Sequence, residues 1–319
     1  MSATPRRSGW LAPVPPSVAI EIAAGRVTVA ELSGGGGGPV VSAFASESLP
    51  AGAVVPALTG VNIPDHEVVA DALRRALSRA GLGSPRRAAL VVPDSVARVS
   101  LLNFEQVPSR ASDLEQLLRW QLRKSMPFPI DEAQISHFRT SGEGQAVTLA
   151  AVVARRDVIA QYEAVTSRAG IHAGIVDLAS FNVMNAVVGA GAAPAGDWLL
   201  VCLASEATTI AILRGDQLMF YRHRTAMDEE PLSALVHQTA MYHEDRLGGT
   251  QFAKVWLAGA ALAGQASQAR REISDRLNVP AEAVDVRPAA GLPTQVAPLP
   301  DIMDALAAPV GVLLRERAA

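Results

Sequence analysis

Apolar and polar residues alternate on both sides of Gly25, in the segment from Val18 to Leu32. Alternation with a period of two is typical of β-strands, and the central glycine favours a tight turn. The segment therefore predicts a β-hairpin. A run of glycines follows, Gly34 to Gly38. Because no Lys-Ser/Thr pair comes after it, this run predicts a flexible hairpin connection rather than a phosphate-binding loop.

Helical and strand patterns then alternate along the first half. Apolar residues recur every three or four positions in the helical segments, whereas short apolar runs bounded by turn residues mark the strands. The predicted helices are 65–80, 112–125 and 156–169, and the predicted strands are 88–92, 99–104, 135–139, 147–154 and 174–177. The strands 135–139 and 147–154 predict a pair that is joined by the turn 141–144.

The second half opens with the same pattern as the first. Trp198 to Leu213 forms two apolar runs around a polar turn, which again predicts a hairpin. Superposing the two hairpins pairs Glu21 with Cys202, Ala23 with Ala204, and Thr28 with Thr209. The pattern predicts two α/β halves that each begin with a β-hairpin. Further predicted elements are the helices 231–247, 265–277 and 302–317 and the strand 255–257.

The composition supports two domains and argues against several classes of protein. The chain has 319 residues, of which 49% are hydrophobic and 4% aromatic, so we expect cores built from Ala, Val, Leu and Ile. A net charge of −3 provides no basic surface and argues against nucleic acid as a partner. The single cysteine, Cys202, excludes an internal disulfide and is typical of a reducing compartment.

No segment predicts a membrane anchor. The most apolar run, Ala146 to Ala154, is about half as long as a helix that spans a bilayer. Residues 1–16 carry Arg6 and Arg7 without a following apolar stretch, so we expect a disordered tail and no signal peptide. These features predict a cytoplasmic protein.

Several polar residues are of types that bind metals or act as general bases or nucleophiles. His237, His243, Glu244 and Asp245 do not have the four-residue spacing of a helical metal site, and we interpret them as solvated. Asp94, Asp177 and Glu21 end predicted strands, where turn or cap roles are favoured over a general base. Cys202 predicts a buried, unreactive thiol.

The order of these parts resembles the actin-like ATPase superfamily. The segment Leu114 to Ala133, an amphipathic helix that stops at Pro127-Phe128-Pro129, resembles the PilM-type type IV pilus assembly proteins in particular. Val153 to Arg156, Gly170, Val176-Asp177 and Ala308 to Arg315 fit the same family. The resemblance implies an α/β, actin-like (ribonuclease H-like) two-domain fold with an inserted small α+β subdomain and a reduced second domain.

The resemblance also implies domain boundaries. The first domain would span 17–195, with the small subdomain inserted at about 98–174. The reduced second domain would span 196–301, and a C-terminal helix at 302–319 would pack back on the first domain. Between Arg224 and Leu235 the chain lacks the length for the lid that closes over a nucleotide in that family.

In that family two hairpins and a glycine-rich turn hold Mg-ATP, and this sequence departs from the pattern. Glu21 and Cys202 stand where the family has aspartates, and alanines replace glycines at positions 23 and 204. The degenerate nucleotide-site positions that the resemblance implies are Glu21, Ala23, Gly25, Ala204, Ser205, Thr208, Thr209 and Gly259. We expect no catalytic residue, no metal site and no cofactor, with weak binding of Mg-ATP left open.

The resemblance implies a protein partner. PilM-type proteins hold a short cytoplasmic peptide of the inner-membrane protein PilN in a groove beside the small subdomain, and other pilus platform proteins are further expected partners. We expect Leu117, Trp120, Gln121 and Phe128 to contact that peptide. The expected function is a pseudo-ATPase scaffold attached to the inner membrane through its partner. Two alternatives remain: an active ATPase or sugar kinase-type phosphotransferase, and an actin-like filament former.

Overall fold

The computed structural model describes residues 16–35, 38–141, 146–228, 230–293 and 296–318. Strands and helices alternate along this part of the chain. The strands are β1 (Val18–Ala23), β2 (Arg26–Gly35), β3 (Gly38–Ser48), β4 (Arg87–Val92), β5 (Ala97–Phe104), β6 (Ala133–Ser141), β7 (Val147–Arg155), β8 (His172–Leu178), β9 (Asp197–Leu203), β10 (Ala207–Arg214), β11 (Gln217–Thr225), β12 (Lys254–Ala258) and β13 (Ala281–Ala283). The helices are α1 (His66–Ala80), α2 (Ala111–Leu122), α3 (Arg156–Arg168), α4 (Ala179–Gly189), α5 (Leu232–Leu247), α6 (Ala266–Leu277) and α7 (Pro300–Ala318).

The first sheet has the strand order β3-β2-β1-β4-β8. β1 and β2 form the predicted hairpin, in which Glu21 lies opposite Thr28, and β4 and β8 continue the sheet in parallel. Helices α1 and α3 pack together beside this sheet, and α4 and α7 form a second packed pair. β1 and β4 are buried along nearly their whole length, and apart from Glu21 and Arg87 their residues are apolar.

The second sheet repeats the first. Its order is β11-β10-β9-β12-β13, and Cys202 lies opposite Thr209 as Glu21 lies opposite Thr28. β12 is parallel to β9, as β4 is to β1. The predicted repetition of a hairpin-led α/β half is therefore confirmed at the level of strand order and register.

A third sheet, β5-β7-β6, is inserted between β4 and β8 and lies within the range predicted for the small subdomain. Its core joins apolar residues of α2 to the strands, with Leu118 and Leu122 almost fully buried. Arg98 donates to the carbonyl of Ser125, which ties the end of α2 to the first strand of this sheet. The domain boundaries themselves stay predictions.

Four elements were not predicted: β3, α4, β11 and β13. Helix α4 lacks a polar face because it is buried between the first sheet and α7, so the usual helical alternation is absent from its sequence. The glycine run was expected to be a loop, but β2 reaches Gly35 and β3 begins at Gly38. Residues 36–37, nearly all of the predicted N-terminal tail and most of the turn 141–144 lie outside the described residues.

The chain passes directly from β11, through a short 3-10 turn at Ala226–Asp228, towards α5. At the end of the described chain, α7 packs back on α4, β1, β2 and β4. The two helices meet at Gly311: a β-carbon added there would lie 1.7 Å from the carbonyl oxygen of Asn182. The helices can therefore cross this closely only because residue 311 is a glycine.

His243 corrects the interpretation of the polar residues on α5. Its side chain is 2% exposed, its Nε2 lies 2.8 Å from Asp197 Oδ2, and its ring stacks on Phe252. The Arg214 guanidinium, followed by His243, lowers the pKa of the Asp197 carboxyl to about 2. His243 is thus a buried link between α5 and the second sheet, whereas His237 and Glu244 are exposed as predicted.

We predict that Gly311→Ala lowers the free energy of unfolding by about 3 kcal/mol, because the added methyl group forces the α4 and α7 backbones apart. Chemical denaturation followed by circular dichroism measures this change. Gly189→Ala is the matched control: the new methyl would meet only the Leu314 side chain, at 3.1 Å. Equal stability of Gly311→Ala and the wild-type chain would contradict the prediction.

Candidate functional site

The turns of the two hairpins border one cleft of about 360 Å³ between the two halves of the protein. The turn after β4, the turn after β12 and helix α7 complete its walls. Of the eight predicted nucleotide-site residues, Glu21, Ala23, Gly25, Ala204, Ser205, Thr209 and Gly259 line this cleft. Thr208 does not line it, because neighbouring strand residues point to opposite faces of a sheet.

The first hairpin presents an ion pair to the cleft. Arg26 Nη2 lies 2.9 Å from Glu21 Oε2, and the Glu21 side chain is only 7% exposed. Arg26 pairs with Ala23 across the strands, so the guanidinium is held beside the turn. The Glu21 carboxylate is therefore neutralised within its own hairpin.

The second hairpin closes its turn by internal bonds. Ala204 donates its backbone N–H to the Ala207 carbonyl over 2.9 Å, and Ser205 Oγ donates to Glu206 Oε2 over 2.7 Å. In the alignment of the two hairpins Glu206 stands where the first has Gly25, so this turn carries a carboxylate at the position of a glycine.

Gly259 serves the packing of the turn after β12 on the second hairpin. Its φ is +77°, and a β-carbon there would lie 2.0 Å from the Leu203 carbonyl oxygen. The backbone N–H of Ala261 in the same turn donates to Asp304 Oδ2 of α7 over 2.8 Å. Burial raises the pKa of the Asp304 carboxyl, while hydrogen bonds from the backbone of this turn act in the opposite direction. The turn thus binds an acidic side chain of the chain itself.

Asp94 is the central acceptor of a polar network that the sequence did not reveal. Its Oδ1 accepts from the backbone N–H and the hydroxyl of Ser180, at 3.1 and 2.8 Å, and its Oδ2 accepts from the Thr209 hydroxyl at 2.8 Å. The predicted role of Asp94 as a cap residue is confirmed, although the capped helix is α4, far away in sequence. The network joins the two halves, because Ser180 belongs to the first and Thr209 to the second.

Two further contacts extend this network. The Tyr221 hydroxyl lies 3.1 Å from Ser180 Oγ, and the His223 ring lies 2.9 Å from Thr209 Oγ1 and 3.0 Å from Ser95 Oγ. Since the Thr209 hydroxyl donates to Asp94, it accepts from His223 Nδ1–H, which leaves Nε2 to accept from Ser95. The bonds therefore fix the tautomer of His223.

Asp177 lies near the end of β8, two residues before α4 begins. Its Oδ1 accepts from the Leu178 backbone N–H at 2.9 Å, and its Oδ2 forms an ion pair with Arg315 of α7. Burial raises the pKa of this carboxyl, and the Arg315 charge opposes the effect. Asp177 is therefore a strand residue rather than the predicted turn residue, and its side chain links β8 to α7.

A second cavity of about 600 Å³ lies beside the inserted subdomain. Strand β6, helix α4 and the β10–β11 turn form its walls. Phe138 of β6 packs edge-to-face on Phe181 of α4, at a ring-centroid distance of 5.4 Å, and Phe181 packs on Tyr221 at 5.5 Å. Phe138 and Val188 are 42% and 38% exposed, so this apolar cavity opens to solvent.

None of the four predicted partner-binding residues lines the second cavity. Phe128 is buried in the core of the inserted subdomain and Leu117 packs against that core, so their exposed surface is small. Trp120 is 62% exposed on α2, and Gln121 beside it is exposed as well. Their contact with a partner stays a prediction, but the apolar opening is formed by residues that the sequence did not single out.

Within the described residues there is no group of three or more His, Cys, Asp or Glu side chains that could hold a metal ion. No helix in the same part of the chain combines the length and apolar character needed to cross a membrane.

Two similar five-stranded halves with a cleft between their hairpins define an actin-like α/β fold, as the resemblance implied. The family described as type IV pilus assembly protein PilM matches residues 19–245, more than two thirds of the chain. The protein therefore belongs to the PilM family, and the predicted membership is confirmed.

Several solved structures are similar to this chain, and the one with a TM-score above 0.5 supports the fold. A chain of a "PilM-PilN type IV pilus biogenesis complex" is 19% identical, with a TM-score of 0.80, and the alignment covers 95% of this chain and 99% of that one. The cytoplasmic domain of EpsL, from the type II secretion system of Vibrio cholerae, has a TM-score of 0.46 at 11% identity, covering 75% and 80% of the two chains. A Bacteroides thetaiotaomicron protein with an actin-like ATPase fold has a TM-score of 0.48 at 8% identity, covering 86% and 91%.

Cys202 provides a test of the cleft. Burial, followed by the nearby charges of Asp94 and Asp304, raises the pKa of its thiol well above the usual value. We predict that Ellman's reagent reacts with the native chain at pH 8 at least about tenfold more slowly than with the urea-unfolded chain, because little thiolate is present. The native rate should still be rising above pH 9. Immediate release of one equivalent from the native protein at pH 8 would contradict this prediction.

Proposed function

We propose that this protein is a scaffold that binds the N-terminal cytoplasmic peptide of a PilN-like inner-membrane protein during assembly of a type IV pilus or a related secretion system. The observation that supports the proposal is the open apolar cavity between β6 and α4, in a chain that belongs to the PilM family. The complex in which the similar chain was solved contains PilN, and we extend that partnership to this protein.

The cavity suits an extended peptide with apolar side chains. Strand β6 is an edge strand of the sheet β5-β7-β6, and its residues Ser136, His137 and Phe138 border the cavity. A peptide beside such an edge gains main-chain hydrogen bonds, while its alternate side chains enter the apolar space. Phe138 and Phe181 would form the walls that these side chains contact.

We propose that the cleft between the hairpins does not hold Mg-ATP and that the protein is a pseudo-ATPase with no cofactor. Four carboxylates line the cleft, those of Glu21, Asp94, Glu206 and Asp304, and each already accepts a hydrogen bond within the chain. Their charge opposes a triphosphate, and their internal partners compete with a metal ion. Gly259, the one glycine of its turn that approaches another backbone closely, is used for packing on Leu203.

Membrane attachment would follow from the same interaction. We propose that the protein resides in the cytoplasm and reaches the inner membrane by binding the cytoplasmic segment of its partner. Other platform proteins of the pilus would then assemble around this pair.

We predict that a synthetic peptide with the N-terminal cytoplasmic segment of the PilN-like protein from the same organism binds the chain in isothermal titration. Phe138→Ala should weaken this binding about tenfold or more, because an aromatic wall of the cavity is lost. Met227→Ala is the control, since it removes an exposed apolar residue that does not line the cavity. Trp120→Ala tests the contact that was predicted on α2. A loss with Trp120→Ala alone would move the site to α2, and an absence of binding to the wild-type chain would refute the proposed function.

We predict no saturable binding of Mg-ATP and no phosphate release at millimolar nucleotide, because the carboxylates that line the cleft outnumber the cation of Arg26 beside them and repel the triphosphate. Titration calorimetry and a phosphate-release assay measure the two quantities. Peptide binding by the same sample shows that the protein is folded. Ordered phosphates between the two hairpins in an ATP-soaked crystal would overturn the pseudo-ATPase proposal.

A further inference from the structure

Helix α4 separates the cleft from the apolar cavity. Ser180 in its first turn lines the cleft, and the next residue, Phe181, lines the cavity together with Met184, Asn185 and Val188. These four positions recur every three or four residues, so they occupy one face of the helix. A shift or rotation of α4 therefore moves the wall of the cavity as a unit.

The start of α4 depends on a distant side chain. Its N-cap residue is Leu178, which has no side-chain acceptor, and no local cap bond is formed. Asp94 supplies the missing acceptor by binding both the backbone N–H and the hydroxyl of Ser180. Anionic groups at a helix N-terminus are also favoured by the helix dipole. The first turn of α4 is thus held by the network in the cleft.

The second half of the protein contacts the same point. Thr209 donates to Asp94, and the Tyr221 hydroxyl lies beside Ser180 Oγ. The Tyr221 ring packs on Phe181, which packs on Phe138 in the wall of the cavity. A continuous series of contacts therefore runs from the cleft to the cavity through the first turn of α4.

We infer that Asp94 is a positioning residue for the apolar cavity, which we call the peptide groove. By capping α4 from within the cleft between the hairpins, Asp94 holds Phe181 and its neighbours where they bind the partner. The inference rests on the proposed function. The cleft then has a structural role that needs no nucleotide: the Asp94 carboxylate within it keeps the groove in shape by accepting hydrogen bonds from Ser180.

The test compares peptide affinity among variants, measured by isothermal titration with the same synthetic PilN-like peptide. Asp94→Ala should raise the dissociation constant about tenfold, because the cap of α4 is lost while no residue of the groove changes. Asp94→Asn should restore the affinity. Its Oδ1 can still accept from Ser180, and its amide can donate to Thr209 once the His223 tautomer reverses.

Asp65→Ala is the matched control. Asp65 caps α1 by accepting from the backbone N–H groups of Glu67 and Val68, at 2.9 and 3.4 Å, and α1 does not line the groove. This variant should lose a similar amount of stability and keep its affinity. Hydrogen exchange should be faster in the first turn of α4 in Asp94→Ala and unchanged there in Asp65→Ala.

Ser180→Ala keeps the test decisive if Asp94→Ala does not fold, since it removes only the hydroxyl contacts and leaves the backbone bond to Asp94. It should weaken binding by a smaller factor. Wild-type affinity in both Asp94→Ala and Ser180→Ala, or an equal loss in Asp65→Ala, would overturn the inference. If the wild-type chain itself does not bind the peptide, or Phe138→Ala has no effect, the proposed function fails instead.

Discussion

The close crossing of α4 and α7 is the constraint on which the rest of the structure depends. At Gly311 the two backbones approach so closely that no side chain fits between α7 and the Asn182 carbonyl of α4. From this point α7 reaches one cavity with Asp304 and the other with Arg315, while α4 presents Ser180 to the first and Phe181 to the second. Because packed helices do not deform independently, a displacement of α4 or α7 changes the shape of both the cleft and the groove.

The cleft is best understood as a junction between two repeated halves. In each half the first two strands form a hairpin with matching register, and the two turns meet across a small space. That space is crossed by hydrogen bonds from Thr209 to Asp94 and from Ala261 to Asp304, each linking different halves of the chain. These hydrogen bonds thus connect the two halves across the cleft.

The groove has a different character, since its lining is more apolar than polar and includes residues of the edge strand β6. Edge strands expose backbone groups that other chains can pair with, so a protein must cover them or use them. Phe138 of strand β6 packs on Phe181 of α4. The edge therefore combines the hydrogen-bonding groups of its backbone with apolar surface. Partner binding at such a surface requires no phosphate chemistry and is compatible with an acidic cleft.

The sequence by itself determined the two hairpins, their repetition and the helix α1, because periodicity is written within a few neighbouring residues. It also indicated the residues that line the cleft, through the alignment of the hairpins. Only the tertiary structure decided the roles of α4, whose polar residues are buried among the apolar ones and define no separate polar face, and of Asp94, which meets Thr209 across 115 positions of sequence. The groove was decided in the same way: Phe138 and Phe181 come from separate elements, whereas Leu117 and Phe128 turned inward to a core that the amphipathic pattern alone could not distinguish from a docking surface.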